Sequence, residues 1–265
     1  MAAGESVSIE HASWRFSAEK HGIIDEELAE QWKSQLKEGF VAPLLPEMLF
    51  DRTTVALSCA GRDVGVFFSV FQGLREWLRD PLPSLKVSAS KNWEKYHSEY
   101  GTGTDIDWTF STKYGGCFRR LSDGAPLPQI EGFAGGVDFE LLQRRDPILL
   151  FVEALLFEDE QADNGVSKLT VKMRVMAACF FVLVRFWCRV DNVLFRVFDT
   201  RVFHKFGTDA IVRDFQWHED TYEDLRKAGR LPSDPSQFND EAVMLPRLSK
   251  REHTVIGYQI PSIAE

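Results

Sequence analysis

Two acidic stretches are the places where this chain could do chemistry. FEDEQADNG at 157–165 crowds Glu158, Asp159, Glu160 and Asp163 ahead of a glycine, and DTR at 199–201 sets Asp199 and Arg201 into an apolar alternation. Carboxylates in unlike surroundings can divide the acid and base roles, so Glu158 or Asp159 together with Asp199 describes a candidate acid–base hydrolase. Spacing alone fixes no distance between them. The 157–165 stretch lacks the D-x-D-x-D-G order of a calcium loop and reads as a solvated turn.

Other chemistries find less support. There is no G-x-S-x-G and no P-loop, and His218-Glu219 lacks the second histidine of a zinc-protease helix. GTGTD at 101–105 supplies G-x-G, but Ile106 stands where the third glycine of a dinucleotide loop belongs, so a plain loop is expected. The six histidines are dispersed and read as structural or solvated. Cys59, Cys117, Cys179 and Cys188 show no C-x-x-C spacing, which predicts buried free thiols in a reducing compartment. No metal and no cofactor are expected.

Positioning these groups falls to a chain of 265 residues with 44% hydrophobic content, enough for one large core; a single domain over 1–265 is expected. A net charge of −9 argues against nucleic-acid binding, which needs clustered Lys and Arg to displace counterions. The longest apolar run, VMAACFFVLV at 175–184, is too short to span a bilayer. MAAGESVSIEH carries neither a signal peptide nor a myristoylation site. A monomer of the cytoplasm or nucleus, without membrane association, is the expectation.

Along the chain, SWRFSA at 13–18 reads as a strand and 25–38 as an amphipathic helix with Leu28, Trp32 and Leu36 at helical spacing. Segments 53–59 and 64–68 form a hairpin, and Ser69-x-x-Gln72 has the form of a capping box opening a short helix. DWTFSTKYGGCFRR at 107–120 reads as a second hairpin turning at Tyr114-Gly115-Gly116. Asp138 can cap a short helix with Leu141 and Leu142. ILLFVEALLF at 148–157 is strand or helix, whereas 168–175, 179–190, 193–204 and 210–217 are successive antiparallel strands. A charged helix at 219–228 follows, and the region from 231 to 265 is an ordered rim or a loosely held coil. The fold class is therefore α+β, mainly antiparallel sheet in layers with short helices on its faces; a doubly wound parallel sheet would need long helices between the strands.

If Asp191-Asn192 is a two-residue turn, residue 190 faces 193 and the pairing follows outward. Phe180, Val182, Val184, Phe186, Cys188 and Val190 then share a core face with Val193, Phe195 and Val197, and Trp187 meets Arg196 in a cation–π pair. This register sets Asp199 against Val184 and Arg201 against Val182, on the apolar parity. Burial of a lone carboxylate costs several kcal/mol, so Asp199 must be paired, turned to solvent by a bulge, or placed at a cleft.

LPEMLF (45–50), DWTFSTKY (107–114), LLFEDEQADNGVSKLTVKMRVM (155–176) and FFVLVRFWCRVDNVLFRVFDTR (180–201), followed by Val202-Phe203-His204, resemble in sequence and order the TIPRL family of TOR signalling pathway regulator-like proteins. The resemblance runs from about Trp14 to about Trp217. It implies a non-enzymatic protein that binds catalytic subunits of type 2A serine/threonine phosphatases and modulates their activity, their assembly and TOR signalling. It also implies a pocket for the phosphatase C-terminal tail: Asp199 matches the pocket aspartate, Val197 an apolar residue that is often Met, and Val137 a second apolar wall. Gln72 stands where relatives have Asp, which removes a charge. Each match has a structural alternative: a capping box for Gln72, a hydrophobic staple for Val137, ordinary core for Val197, and an Asp199–Arg201 pair. A general scaffold with a changed partner is the remaining alternative.

Overall fold

The computed structural model describes residues 4–36, 45–79, 86–97, 105–107 and 112–261. Strands β1 (Glu5–His11), β2 (Trp14–Lys20), β3 (Met48–Leu49), β4 (Thr54–Cys59) and β5 (Val64–Ser69) are followed by β6 (Lys86–Ser88), β7 (Asp105–Asp107) and β8 (Cys117–Arg119). The second half carries β9 (Ile148–Asp159), β10 (Gly165–Met176), β11 (Cys179–Val190), β12 (Leu194–Lys205), β13 (Ala210–Thr221) and β14 (Lys250–Gln259). Helices α1 (Glu26–Leu36), α2 (Val70–Arg79), α3 (Lys91–Tyr96), α4 (Phe139–Gln143), α5 (Tyr222–Lys227) and α6 (Glu241–Met244) are short.

A five-stranded sheet, β1-β2-β4-β5-β8, and a seven-stranded sheet, β14-β13-β12-β11-β10-β9-β3, are both antiparallel throughout. This is the α+β class read from the sequence. Alternation builds the core: Trp14, Phe16, Val55, Leu57, Val66 and Phe68 of the smaller sheet face Val171, Phe180, Val182, Val184, Phe186 and Phe198 of the larger. The ring of Phe180 lies 5.1 Å from that of Trp14 and 5.7 Å from that of Phe16, edge to face, the geometry aromatic quadrupoles favour. Residues 148–157, ambiguous by periodicity, are strand.

Several local expectations need correction. Among the described residues of the 107–120 hairpin, β7 pairs with β6 and β8 pairs with β5, rather than with each other. Trp108–Ser111 lie outside the described residues, as does the Gly101–Thr104 part of the GTGTD loop. Helix α2 does start after Ser69, but the Ser69 backbone N–H, which the Gln72 side chain would take in a capping box, donates to the Tyr114 hydroxyl at 3.1 Å. Strand β13 runs on to Thr221, so the charged helix starts at Tyr222, capped by the Thr221 hydroxyl. Asp138 caps α4 as read, accepting from the Leu141 N–H at 2.8 Å. Beyond 231 the chain makes a 3-10 turn (Pro235–Asn239), α6 and β14, which adds the last strand of the larger sheet. Among the described residues no helix is long and apolar enough to cross a membrane.

The hairpin holding DTR has a three-residue loop, Asp191-Asn192-Val193, rather than two. Asn192 is left-handed (φ 60°), and the Val193 N–H returns to the Val190 carbonyl. Val190 therefore pairs with Leu194, and β12 is turned over relative to the two-residue register. Phe198 and Val202 go to the core, whereas Asp199 and Arg201 go to the outer face, opposite Arg185 and Leu183. Burying two charges among Val182 and Val184 would cost far more than a less common loop. The Trp187–Arg196 pair does not form: Trp187 faces Val197, and Arg196 is on the inner face, 1% exposed, with Nε 2.6 Å from Glu219 Oε2.

Candidate interaction site on the outer face of the large sheet

Two apolar covers sit on the outer face of the seven-stranded sheet. At one end Leu141 and Leu142 of α4 pack on Met176, Cys179, Phe203 and Val212, with half-buried Val137 against them. At the other end Leu225 of α5, Met244 of α6 and Leu248 cover Trp187, Phe195 and Val197. Between the covers the outward positions turn polar: Thr170 and Lys172 on β10, Arg185 on β11, Asp199 and Arg201 on β12, and Asp214 and Gln216 on β13.

These side chains form a ladder of alternating charge across the strands. Lys168 Nζ is 2.7 Å from Glu241 Oε1, and Glu241 Oε2 lies 3.2 Å from Arg185 Nη1. Arg185 grips Asp199 with both arms of its fork, Nε to Oδ1 and Nη2 to Oδ2, each at 2.7 Å. Arg201 reaches Asp199 and Asp214 at 3.6 Å each, and His253 Nε2 stands 3.3 Å from Asp214 Oδ2. Burial acts to push the Arg185 guanidinium down, but the hydrogen bonds and charge of Asp199 and the charge of Glu241 outweigh it and raise it. Burial likewise acts to raise Glu241, and Lys168 with Arg185 overcomes it, so that the carboxyl is lowered and stays ionised at neutral pH. His218, across from Val197 on β13, is lowered by burial against the opposing pull of Asp199, and its Nδ1 is buried without a hydrogen-bond partner among the described residues.

Of the four residues matched to a family pocket, the structure brings Val197 and Asp199 onto one face, two residues apart, and sets Val137 beside the cover at the other end of that face. Gln72 lies elsewhere: its helix packs on the inner face, where Gly73 abuts Leu169. Val197 and Asp199 are both 0% exposed. For Asp199 to accept hydrogen bonds from an incoming chain, Arg185 must let go first. Among the groups on this face that retain surface are Lys172, Leu183, Arg185 and Arg201. Arg185, Glu241 and Asp214 were not singled out in the sequence; the signal that finds Arg185 is its pairing with Asp199 once the loop is given three residues.

The carboxylates of the hydrolase alternative do not converge. Asp159 pairs with Ser167 on the inner parity of β10, whereas Asp199 is on the outer face, so the sheet separates them; Glu158, opposite Lys168, shares the outer face with Asp199, but β10 and β11 lie between the two. The 157–165 stretch does turn at 161–164, with Glu160 and Asp163 exposed, but it is only partly solvated. Asp159 is 1% exposed, and its oxygens accept from the backbone N–H groups of Gln161 (2.6 Å) and Glu47 (3.0 Å). Gln161, Ala162 and Asp163 are left-handed in succession, and burial, with the charge of Glu47, pushes the Asp159 carboxyl up to about 7. Among the described residues no group of three or more His, Cys, Asp or Glu side chains is placed to hold a metal ion.

Comparison with known proteins gives this arrangement its context. The TIP41-like family model matches residues 48–226, which span β3 to α5 and so include both strands of the Arg185–Asp199 pair. The TIP41-like protein of Arabidopsis thaliana is 34% identical over 94% of this chain and 89% of its own length. That of Homo sapiens is 33% identical over 78% of this chain and 74% of its own. A relative in Saccharomyces cerevisiae, 28% identical over 98% of this chain and 73% of its own, is named a type 2A phosphatase activator, TIP41. On the extent of these matches, the chain belongs to the TIP41-like family.

Proposed function

We propose that this protein is a non-enzymatic regulator of type 2A serine/threonine phosphatases, acting by binding their catalytic subunit and so modulating its activity and assembly within TOR signalling. An extended tail of that subunit lies across the polar strip between the two covers, with its apolar side chains toward Val137 and Leu183. Its polar groups meet the exposed edges of Arg185 and Arg201. Asp199 holds those two guanidinium groups in place. Val197 supports the strip from beneath the α6 cover.

The observation that carries this reading is the charge ladder between the two apolar covers, in which Arg185 and Arg201 keep part of their surface. The buried carboxylates hold Arg185 and Arg201 in fixed positions, and a pre-aligned pair of arginines is a ready contact for a peptide. The activator name of the yeast relative supports the choice of partner. Titration of the purified chain into a type 2A catalytic subunit, by calorimetry and by phosphatase assay, tests it. A stoichiometric complex is expected, weakened by about 2–5 kcal/mol when Arg201→Ala removes a charged contact, with no phosphate-ester hydrolysis by this chain alone. Absence of a complex, or equal affinity for a subunit lacking its tail, refutes the reading.

A further inference from the structure

The seven-stranded sheet has one edge unlike the others. Beyond β9 the next strand, β3, pairs only with Phe157 and Glu158, and the Phe50 N–H reaches the Leu156 carbonyl. From Ile148 to Leu155 the side of β9 away from β10 has no ladder partner among the described residues. An open row of backbone donors and acceptors recruits another strand, so sheet edges normally carry charge, proline or very short strands.

The other edges follow that rule. β14 presents Lys250, Arg251, Glu252 and His253; β1 presents Glu5 and Glu10; β8 has three residues and is bridged by Pro126. The open part of β9 reads Ile-Leu-Leu-Phe-Val before its first charge, Glu153. Ile148, Leu149 and Phe151 are 52%, 43% and 58% exposed, three large apolar side chains within four residues. Single exposed apolar residues need no explanation, but a run of them on an unpaired strand marks a contact surface.

The charges flanking this edge choose its occupant. Arg144 and Arg145 precede the open stretch, whereas Glu153 and Glu158 lie toward its far end. Asp146 holds Arg144 at 3.4 Å and Lys172 holds Glu153 at 2.8 Å, which leaves Arg145 and Glu158 without ion-pair partners among the described residues. A strand laid antiparallel to β9 has its N-terminal end beside Glu158 and its C-terminal end beside Arg145.

We propose that the β9 edge is a second binding surface that takes an extended segment of a partner protein as an added antiparallel strand. The segment is about eight residues long, alternately apolar, basic at its N-terminal end and acidic at its C-terminal end. This surface lies on another part of the sheet from the Arg185–Asp199 strip and does not depend on the phosphatase reading.

The test uses a synthetic peptide of alternating Val and Thr, with two Lys at its N-terminal end and two Glu at its C-terminal end. Binding to the full chain is followed by fluorescence anisotropy and by hydrogen exchange of the 148–155 amides. Saturable binding is expected, with slowed exchange confined to those amides and affinity at least about tenfold weaker for Phe151→Lys, whose exposed side chain leaves the fold intact. The same loss is expected when alternate peptide nitrogens are methylated. Three results overturn the proposal: no binding, equal binding of the charge-swapped peptide, or equal binding of the methylated one. So do 148–155 amides already as protected in the isolated chain as those of β11, which means that the chain covers its own edge. Self-association abolished by Phe151→Lys, in the absence of peptide binding, makes a second copy the occupant and also overturns it.

Discussion

Replacing Asp199 by Asn tests whether the outer-face ladder holds the hairpin in its observed pairing. Asp199 is 0% exposed, and both of its oxygens are taken by the Arg185 fork. Asn keeps the shape, loses the charge and turns an amide N–H₂ toward the guanidinium. Breaking a buried ion pair from one side costs about 3–5 kcal/mol, because the survivor keeps its desolvation penalty. Here the survivor is Arg185, whose side chain is 15% exposed and still has Glu241 at 3.2 Å, so the lower end, about 3 kcal/mol, is expected. For a chain of this size that lowers Tm by about 6–12 °C. Arg185→Met should cost more, about 4–5 kcal/mol, because it strands a carboxylate with no surface and only Arg201, at 3.6 Å, as partner. The double variant should be less damaging than the sum by about 2–3 kcal/mol. Urea and thermal unfolding of the four proteins measure the cycle. A Tm shift below about 1 °C for Asp199→Asn, or additive single effects, would show that the pair contributes nothing to the fold.

Further outcomes follow from other contacts. Asp159 is protonated in the folded chain up to about pH 7 and in the unfolded chain only below its ordinary 3.8, so its contribution to stability is full below that value and is lost as pH rises to 7. Urea midpoints between pH 4 and 7 should therefore fall more steeply for the parent than for Asp159→Asn; parallel curves would refute the assignment. Glu219→Gln takes from the buried Arg196 the carboxylate 2.6 Å from its Nε and should lower stability by about 1–3 kcal/mol; thermal melts of parent and variant measure it, and an unchanged melt would refute the contribution. Gly116 has φ 97°, and a Cβ there would strike the Phe68 ring, so Gly116→Ala should lower stability by about 1–3 kcal/mol in the same assay. Phe186→Ala removes a core ring stacked 5.6 Å from Phe198 and should cost about 3–5 kcal/mol by urea unfolding.

Strand identity was legible wherever one face is buried, because a period of two in Val, Phe and Leu forces the alternation seen in β10 to β13. Pairing was not. The 107–120 segment has hairpin spacing and a glycine turn, yet β8 joins β5, since a β-turn signal cannot say which strand a neighbour prefers. Asp191-Asn192 suits a two-residue turn, but the loop takes Val193 as well, because the longer-range cost of burying Asp199 and Arg201 outweighs local turn chemistry. The capping box failed for a tertiary reason: Tyr114, more than forty residues away, supplies the partner for Ser69. In the candidate site, Asp199 was legible as a charge among apolar residues, whereas its partners Arg185 and Glu241 depended on that register and on a helix beyond residue 231.

The three-residue loop has a consequence for how this sequence can drift. A hairpin mispaired by one step drives Asp199 and Arg201 into grease, so the fork between Arg185 and Asp199 favours the observed alignment over that one. The two positions are then free to change only in concert, and a chimera joining β11 of one homologue to β12 of another should survive when both parents carry the same loop length.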